Sequence, residues 1–118
     1  MSIFSADGVG GVLASALDGI STRQNLIADN IANVDTPHFR ARSVDFETSL
    51  RAAIARGDGT APLSYQTVLS TSPVGVNDNN VDLRKETMAA MQSTFQYQLV
   101  TRSVTDRLAD LRTAAEPF

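Results

Sequence analysis

The sequence predicts a mainly α-helical fold, in which two long terminal helices with coiled-coil-like apolar repeats flank an extended, partly irregular middle segment. The first two observations are apolar side chains that repeat at helical spacing in residues 9–34 and again in residues 81–115, and each repeat predicts a helix. The third observation concerns the region between them. Of the 25 residues at 56–80, 16 are Gly, Pro, Ser, Thr, Asn or Asp, a composition typical of loops. We therefore predict one domain over 1–118, with a middle part at 35–80.

The first helix repeats its apolar side chains at alternating spacings of four and three residues, which is the pattern of a coiled-coil seam. Gln24 is the one polar member of this seam. Three glycines weaken the first turns, so the helix is predicted to begin nearer Val12. Pro37 requires that the helix ends before it. The seam consists of Leu13, Leu17, Ile20, Gln24, Ile27, Ile31 and Val34.

The middle segment is predicted to contain a short helix within residues 43–56. Phe46, Leu50, Ala53 and Ile54 would lie on one face of this helix. A short strand is predicted at 63–69, and the rest of 56–80 is expected to be extended and mobile in the free protein.

The second helix is uninterrupted by Gly or Pro, and Pro117 ends its pattern. Asn79, Asn80 and Asp82 are predicted to cap its first backbone N–H groups. Its apolar side chains form two stripes, and the change of side near residues 97–100 indicates two different neighbours or a kink. One stripe contains Met88, Met91, Phe95 and Leu99, and the other contains Tyr97, Val100, Val104, Leu108, Leu111 and Ala115.

Composition and charge exclude several classes of protein. The formal net charge is −3 and the sequence pI is about 4.9, which argues against nucleic-acid binding by a basic surface. The chain has no Cys, so disulfides and zinc–thiolate sites are excluded. No apolar run approaches the roughly 18 residues that span a bilayer. The N-terminal residues lack the basic and apolar regions of a cleavable secretory signal, so none is expected.

No catalytic, metal or cofactor site is predicted. His38 is the one histidine, and no suitable acid or nucleophile accompanies it in the sequence. The run at 78–82 offers oxygen ligands but lacks the glycine and closing glutamate of a calcium loop, so helix capping explains it better. The glycines at 8–11 follow no strand, which excludes a dinucleotide-binding loop.

The run from Arg23 to Arg40, RQNLIADNIANVDTPHFR, resembles the N-terminal signature of bacterial flagellar axial proteins, the rod and hook components. Two positions depart from that signature, since His38 stands where glycine is usual and Phe39 where tyrosine is usual. Glycine adopts a positive φ more cheaply than histidine, so the turn is expected to differ locally. The matching residues are Ala28, Asn30, Ile31, Ala32, Asn33, Thr36 and Pro37.

Further motifs resemble the short proximal-rod members of this family. They are Ser43–Glu47, Asn79–Leu83 with Glu86 and Met88, Phe95–Gln98 and Leu111–Ala114, and Asp78 stands where the motif usually has glycine. A second, related proximal rod protein is the nearest alternative, and the Val-Asp-Phe-Glu stretch and the length argue against it.

The resemblance implies that the long N- and C-terminal helices form an antiparallel, coiled-coil-like pair. It also implies a structural subunit of the proximal rod that polymerises through its terminal helices into the drive shaft between the MS ring or export gate and the rest of the rod. The implied partners are its own copies, other rod proteins, and MS-ring, adaptor and export-gate components. The resemblance also implies a periplasmic rod location, reached through the flagellar type III apparatus without signal cleavage. The expected subunit-interface residues are Leu13, Leu17, Ile20, Ile27, Asn30, Ile31, Asn33, Thr36, Pro37, Phe39, Met88, Met91, Phe95, Tyr97, Leu99, Val100, Val104, Leu108 and Leu111.

Two other functions fit the residues less well. A helical-hairpin adaptor or chaperone-like binding module shares the amphipathic helices, but it predicts a stably folded monomer or dimer. The rod interpretation predicts a weakly structured monomer that orders in the polymer. A small enzyme would require clustered acid, base or metal-binding residues, and the sequence does not supply such a cluster.

Overall fold

A computed structural model of the chain describes residues 8–57 and 65–116. These residues form helix α1 (Gly8–Ala32), strand β1 (Arg42–Val44), helix α2 (Phe46–Ala55), strand β2 (Thr67–Leu69) and helix α3 (Leu83–Ala115). The predicted fold class is confirmed, because the two long terminal helices pack on each other and dominate the fold. The molecule is elongated, with a longest dimension of 68 Å.

Helix α1 lies at the centre of the fold, in contact with α3, β1 and α2. It is already helical at Gly8, so the prediction of a start nearer Val12 is wrong. Gly10 and Gly11 are buried, and packing against the rest of the chain compensates for the low helix propensity of glycine.

The C-terminal end of α1 lies at Ala32, two residues before the predicted boundary. Asn33 is the first residue beyond it, and both its backbone N–H and its side-chain Nδ2 donate to the Asp29 carbonyl, at 3.1 and 2.8 Å. The backbone then turns more tightly, since Val34 N donates to the Ile31 carbonyl three residues back, at 3.2 Å.

A short antiparallel ribbon follows, with Arg42 opposite Leu69 and Val44 opposite Thr67. The predicted short helix does lie within residues 43–56, and the first residues of that range, Ser43 and Val44, belong to β1. Helix α2 begins at Phe46 because Asp45 caps it, with its carboxylate accepting from Thr48 N at 3.1 Å. Of the predicted strand at 63–69, residues 67–69 form β2, and residues 63 and 64 lie outside the described residues.

Helix α2 anchors the ribbon to α1 through Phe46, whose side chain is buried. The ring lies directly against Gly19 of α1, where a Cβ atom would stand 2.7 Å from Phe46 Cδ1 and closer to two other ring carbons. Of the other residues predicted to share its face, Ala53 is buried, Leu50 is half-buried and Ile54 is exposed.

Helix α3 begins after Asp82, whose carboxylate accepts from Arg84 N and Lys85 N at 3.1 and 3.2 Å. This cap confirms one of the three predicted capping residues. Its 33 residues span about 50 Å at 1.5 Å per residue. The helix packs along α1, and among the described elements it packs on no other.

The hydrophobic core of the described residues is small and lies where α1 meets the ribbon and α2. It consists of Ala16, Ile20, Ile27, Ala41, Val44, Phe46 and Ala53.

Candidate subunit interface

The most prominent surface feature is a row of large apolar side chains on α3, which we call the outer stripe: Met88, Met91, Phe95 and Leu99. They are between 54% and 69% exposed, although such residues are usually buried. At about 100° per residue the four lie within roughly 80° of one another on the helix surface. Part of the stripe lines a shallow hollow of about 420 Å³ beside Thr87 and Gln98.

The opposite side of α3 faces α1. Ser93 is completely buried there, and its Oγ has no hydrogen-bond partner among the described residues. Ala90 and Thr94 line a shared hollow with Ile27 and Ile31 of α1, which shows that these helix faces meet. Since small side chains cover this part of α3, the two helices approach closely and the large side chains remain outside.

The second predicted stripe of α3 lies on the α1 side, and it is covered only in part. Val100 and Val104 are half-buried, whereas Tyr97, Leu108 and Leu111 are between 42% and 45% exposed. The change of side predicted from the sequence therefore separates a face directed at α1 from a face directed at solvent.

The predicted interface residues of α1 are used mainly within the chain. Ile20 and Ile27 are buried, and Leu13, Leu17 and Ile31 are half-buried. The seam of α1 therefore packs in the fold of the single chain, and a contact with another subunit through these residues stays a prediction.

Asn30 is also predicted at the interface, and its side chain is 1% exposed inside the chain. Its Nδ2 donates to the Arg42 carbonyl at 2.8 Å, and its Oδ1 accepts from the Arg42 backbone N–H at 3.0 Å. The side-chain amide therefore bonds both the N–H and the C=O of one residue of β1, as the backbone of a neighbouring strand would. This role explains why an amide, and not an acid or an alcohol, stands there.

Asn79 and Asn80 hold the other side of the same region. Asn79 Nδ2 donates to the Asn33 and Thr36 carbonyls at 2.8 and 2.7 Å, which ties the end of α1 to the segment before α3. Asn80 Oδ1 accepts from Ala41 N at 2.7 Å. The prediction that these two asparagines cap α3 is wrong, because Asn79 Oδ1 accepts from Val81 N at 2.8 Å, before the helix begins, and their other side-chain bonds reach more distant backbone.

The turn after α1 exposes several of the predicted interface residues. Thr36 and Pro37 are exposed, and Asn33 and Phe39 are half-buried. Thr36 Oγ1 donates to Asn33 Oδ1 at 3.0 Å, so this polar pair stabilises the turn from within.

His38 and Asp78 both have a positive φ, of 65° and 58°. His38 thus adopts the left-handed conformation that glycine favours, and the local difference expected from histidine stays a prediction. His38 Nδ1 lies 2.9 Å from Asp78 Oδ2, and Arg40 Nη2 donates to Asp78 Oδ1 at 2.8 Å. These hydrogen bonds, that from His38 first, lower the pKa of the Asp78 carboxyl below its ordinary value.

Arg23 is a central contact residue that sequence reasoning missed. Its guanidinium donates to the Val44 carbonyl at 2.8 Å, to the Glu47 carboxylate, and to Gln96 Oε1 at 3.3 Å. It also lies over the Phe46 ring, 4.7 Å from the centroid. The available signal was an arginine beside the apolar seam of α1, where a half-buried cation requires several partners.

No group of three or more His, Asp or Glu residues suited to a metal ion occurs in the described part of the chain. None of the described helices combines the length and apolar character needed to cross a membrane. The geometry provides an exposed apolar face on α3 and a polar junction in which the side chains of Asn30, Asn79 and Asn80 hydrogen-bond to the backbone of neighbouring segments.

Comparison with known proteins supplies the family. Residues 12–40 match the model of the flagella basal body rod protein. The flagellar basal body rod protein FlgB of Cereibacter sphaeroides is 35% identical over 88% of this chain and 91% of that protein. FlgB of Bacillus subtilis is 30% identical over 96% of this chain and 95% of that protein, and FlgB of Escherichia coli is 28% identical over 71% and 75%.

Proposed function

Because the chain belongs to the FlgB family of proximal rod proteins of the flagellar basal body, we propose that it polymerises through the outer stripe of α3. Members of this family are structural proteins and not enzymes, and family membership implies assembly with other rod proteins. It also sets aside the adaptor and the related proximal rod protein as identities of the chain.

The single observation that carries the proposal is the exposure of the outer stripe on the face of α3 turned away from α1. Covering a large apolar side chain contributes about 1.5–3 kcal/mol when the burial is complete. Since these four side chains are already partly covered, their burial would contribute on the order of 5 kcal/mol per subunit. A contact of this strength, repeated between subunits, stabilises a polymer although each contact is narrow.

The test replaces Phe95 with glutamate in a strain that lacks the wild-type gene. We expect the F95E variant to accumulate and to yield no complete rods, because a charge in an apolar interface is costly to bury. The measurements are swimming in soft agar and the yield of rods in isolated basal bodies.

Thr101 provides the matched control, since it is exposed on α3 and lies outside the outer stripe. The T101E variant adds the same charge and is expected to swim. Normal rods built from the F95E variant would contradict the proposal, and equal loss in both variants would show that any added charge on α3 is harmful.

We also propose specific partners for the chain in the basal body. The chain is proposed to contact its own copies, other rod proteins, and MS-ring, adaptor or export-gate components at the base of the rod. The support is the number of large side chains that the single chain leaves uncovered on α3, from Met88 to Leu111. Cross-linking from single cysteines on the outer stripe tests it, because the chain contains no Cys of its own.

The export route is a proposal as well. We propose passage through the flagellar type III apparatus without signal cleavage, which the small core favours, since a chain with little tertiary structure unfolds readily for threading. Mass spectrometry of the protein in isolated basal bodies should find an uncleaved N-terminal region, and a block of the export apparatus should retain the chain in the cytoplasm. Retention of rods under that block would contradict the proposal.

A further inference from the structure

We propose that the outer edge of β2 is a docking site for an extended, uncharged segment of a different subunit, which adds to the ribbon as a third strand. This inference rests on the proposed function, because it supposes that the chain has neighbours in an assembly. It concerns a different surface from the outer stripe of α3.

The pairing of the ribbon determines which backbone groups point outward. Ser70 N donates to the Ala41 carbonyl at 2.8 Å, so Ala41 and Ser70 are a hydrogen-bonded pair. Antiparallel pairs alternate, which makes Ser43 and Val68 the next hydrogen-bonded pair. Leu69 of β2 lies between these two pairs. Its backbone N–H and C=O groups therefore point away from the partner strand.

The outer edge of β1 is closed by α1. Asn30 binds both the N–H and the carbonyl of Arg42, and Arg23 donates to the Val44 carbonyl at 2.8 Å. Two side chains thus occupy the positions that a further strand would take, so no strand can add there.

Within the part of the chain that the structure describes, the outer edge of β2 has no such cover. The backbone groups of Thr67 and Leu69 point outward and make no hydrogen bond within the described part of the chain, and the whole strand is exposed. Among the described helices and strands, β2 contacts β1 alone. An open edge of this kind is a ready template for another strand.

The edge is short, with three residues, but it lacks the other devices that usually prevent strand addition. Natural edge strands carry charges or proline, or are covered. Residues 65–77 contain no charged residue, and proline occurs in this run only at Pro73, beyond β2. Val68 and Leu69 are 58% and 55% exposed. An uncharged extended segment with apolar side chains complements this edge best.

The strand is held in place before any partner arrives. Tyr65 Oη and Thr22 Oγ1 of α1 are hydrogen-bonded at 3.2 Å, which fixes the chain just before β2. Asn80 Nδ2 donates to the Ser70 carbonyl at 3.0 Å and to the Ser72 carbonyl at 3.3 Å, which fixes it just after. An edge fixed at both ends loses little conformational freedom on docking.

The segment that docks belongs to another part of a neighbouring subunit and not to a second β2. Two β2 edges pairing antiparallel would form a closed, two-fold dimer. A rod grows by contacts between unlike surfaces, which can repeat without closing. We therefore commit to an unlike segment, and a symmetric dimer becomes an outcome that the test can detect.

The test is Leu69→Pro, which removes an outward N–H and places the proline ring in the path of the incoming strand. Proline is tolerated on an edge strand where its N–H would face solvent, so the ribbon should remain paired. We expect unchanged far-UV circular dichroism of the isolated chain and a loss of rods of at least tenfold. The L69A variant keeps the N–H and should assemble.

Amide hydrogen exchange gives a second readout that needs no variant. The Leu69 amide should exchange rapidly in the isolated chain and at least tenfold more slowly in assembled rods. Equal exchange in both states would overturn the proposal even if the L69P variant failed to fold, and so would normal rods from that variant.

Two further results would separate the alternatives. A dimer of the isolated chain in sedimentation experiments, abolished by L69P, would replace the proposal with self-pairing of β2. Loss of assembly in F95E together with normal assembly in L69P would refute the docking edge alone and leave the outer stripe standing.

Discussion

Replacing Asn30 with aspartate changes one side-chain group at the junction of α1 and β1, with almost no change in shape. The wild-type amide is 1% exposed and donates from Nδ2 to the Arg42 carbonyl at 2.8 Å. In the N30D variant the donor becomes an oxygen, which faces that carbonyl oxygen. The bond from the Arg42 N–H, at 3.0 Å, is retained.

The expected loss of stability follows from these contacts. The lost hydrogen bond and the unsatisfied carbonyl together cost about 1–3 kcal/mol, and burial of a charge adds to this. We therefore expect the free energy of unfolding to fall by roughly 3 kcal/mol at pH 7. With a urea dependence of about 1.5 kcal/mol per molar, the urea midpoint shifts down by roughly 2 M.

The pH dependence distinguishes this mechanism from a general loss of packing. Burial beside a carbonyl oxygen raises the pKa of the introduced carboxyl, so the folded state binds a proton that the unfolded state releases. The stability of the variant should therefore rise as the pH falls from 7 toward 5, since a protonated carboxyl can donate to the carbonyl. Urea titrations followed by far-UV circular dichroism at both pH values measure the effect.

Asn25→Asp is the matched control, because Asn25 is exposed on the same helix. Its free energy of unfolding should change by less than about 0.5 kcal/mol, which is the usual range for surface substitutions. If N30D and N25D behaved alike, or if the N30D deficit did not shrink at pH 5, the assigned role of the Asn30 amide would be refuted.

Two further predictions follow from the same structure. Gly19→Ala should lower the free energy of unfolding by about 1–3 kcal/mol, because the new methyl group overlaps the Phe46 ring. Adding F46L to this variant should recover part of the loss, and urea titrations measure both effects. Asp45 and Asp78 have pKa values below the ordinary 3.8, Asp45 mainly through its hydrogen bonds with Thr48. The two carboxylates therefore stabilise the folded state above pH 4, and this contribution should be lost as the pH falls below it. In acid titrations, the stability of the D45A and D78A variants should be lower than that of the wild type at neutral pH and should converge with it at low pH.

The outcome for Asn30 alters how its motif is tested. Asn30 and Asn33 are both among the residues that the sequence places at a subunit interface. In the structure the Asn30 amide supports β1 and the Asn33 amide binds the Asp29 carbonyl at the end of α1. Alanine at these positions would therefore disturb the fold of the single chain, and the exposed Thr36 and Pro37 are better positions for testing a contact.

Most of the helical fold could be predicted from the sequence. Helix periodicity and an N-cap such as Asp82 depend on residues within a few positions of one another, so their signals are local. The resemblance in the terminal motifs likewise gave the family that the relatives establish. The outer stripe was visible as spacing, although the sequence did not say which stripe faced α1.

The ribbon and its polar junction were decided by tertiary structure. Strand β1 is only three residues long, too short to carry a pattern, and it exists because Asn30 and Arg23 bind its backbone from α1. Arg23 joins groups as far away as Gln96, 73 positions along the chain. Hydrogen bonds between such distant residues leave no periodic trace. The sequence by itself therefore determined the helices and the family, and the packing of α1 against the rest of the chain decided which edges and faces remain open.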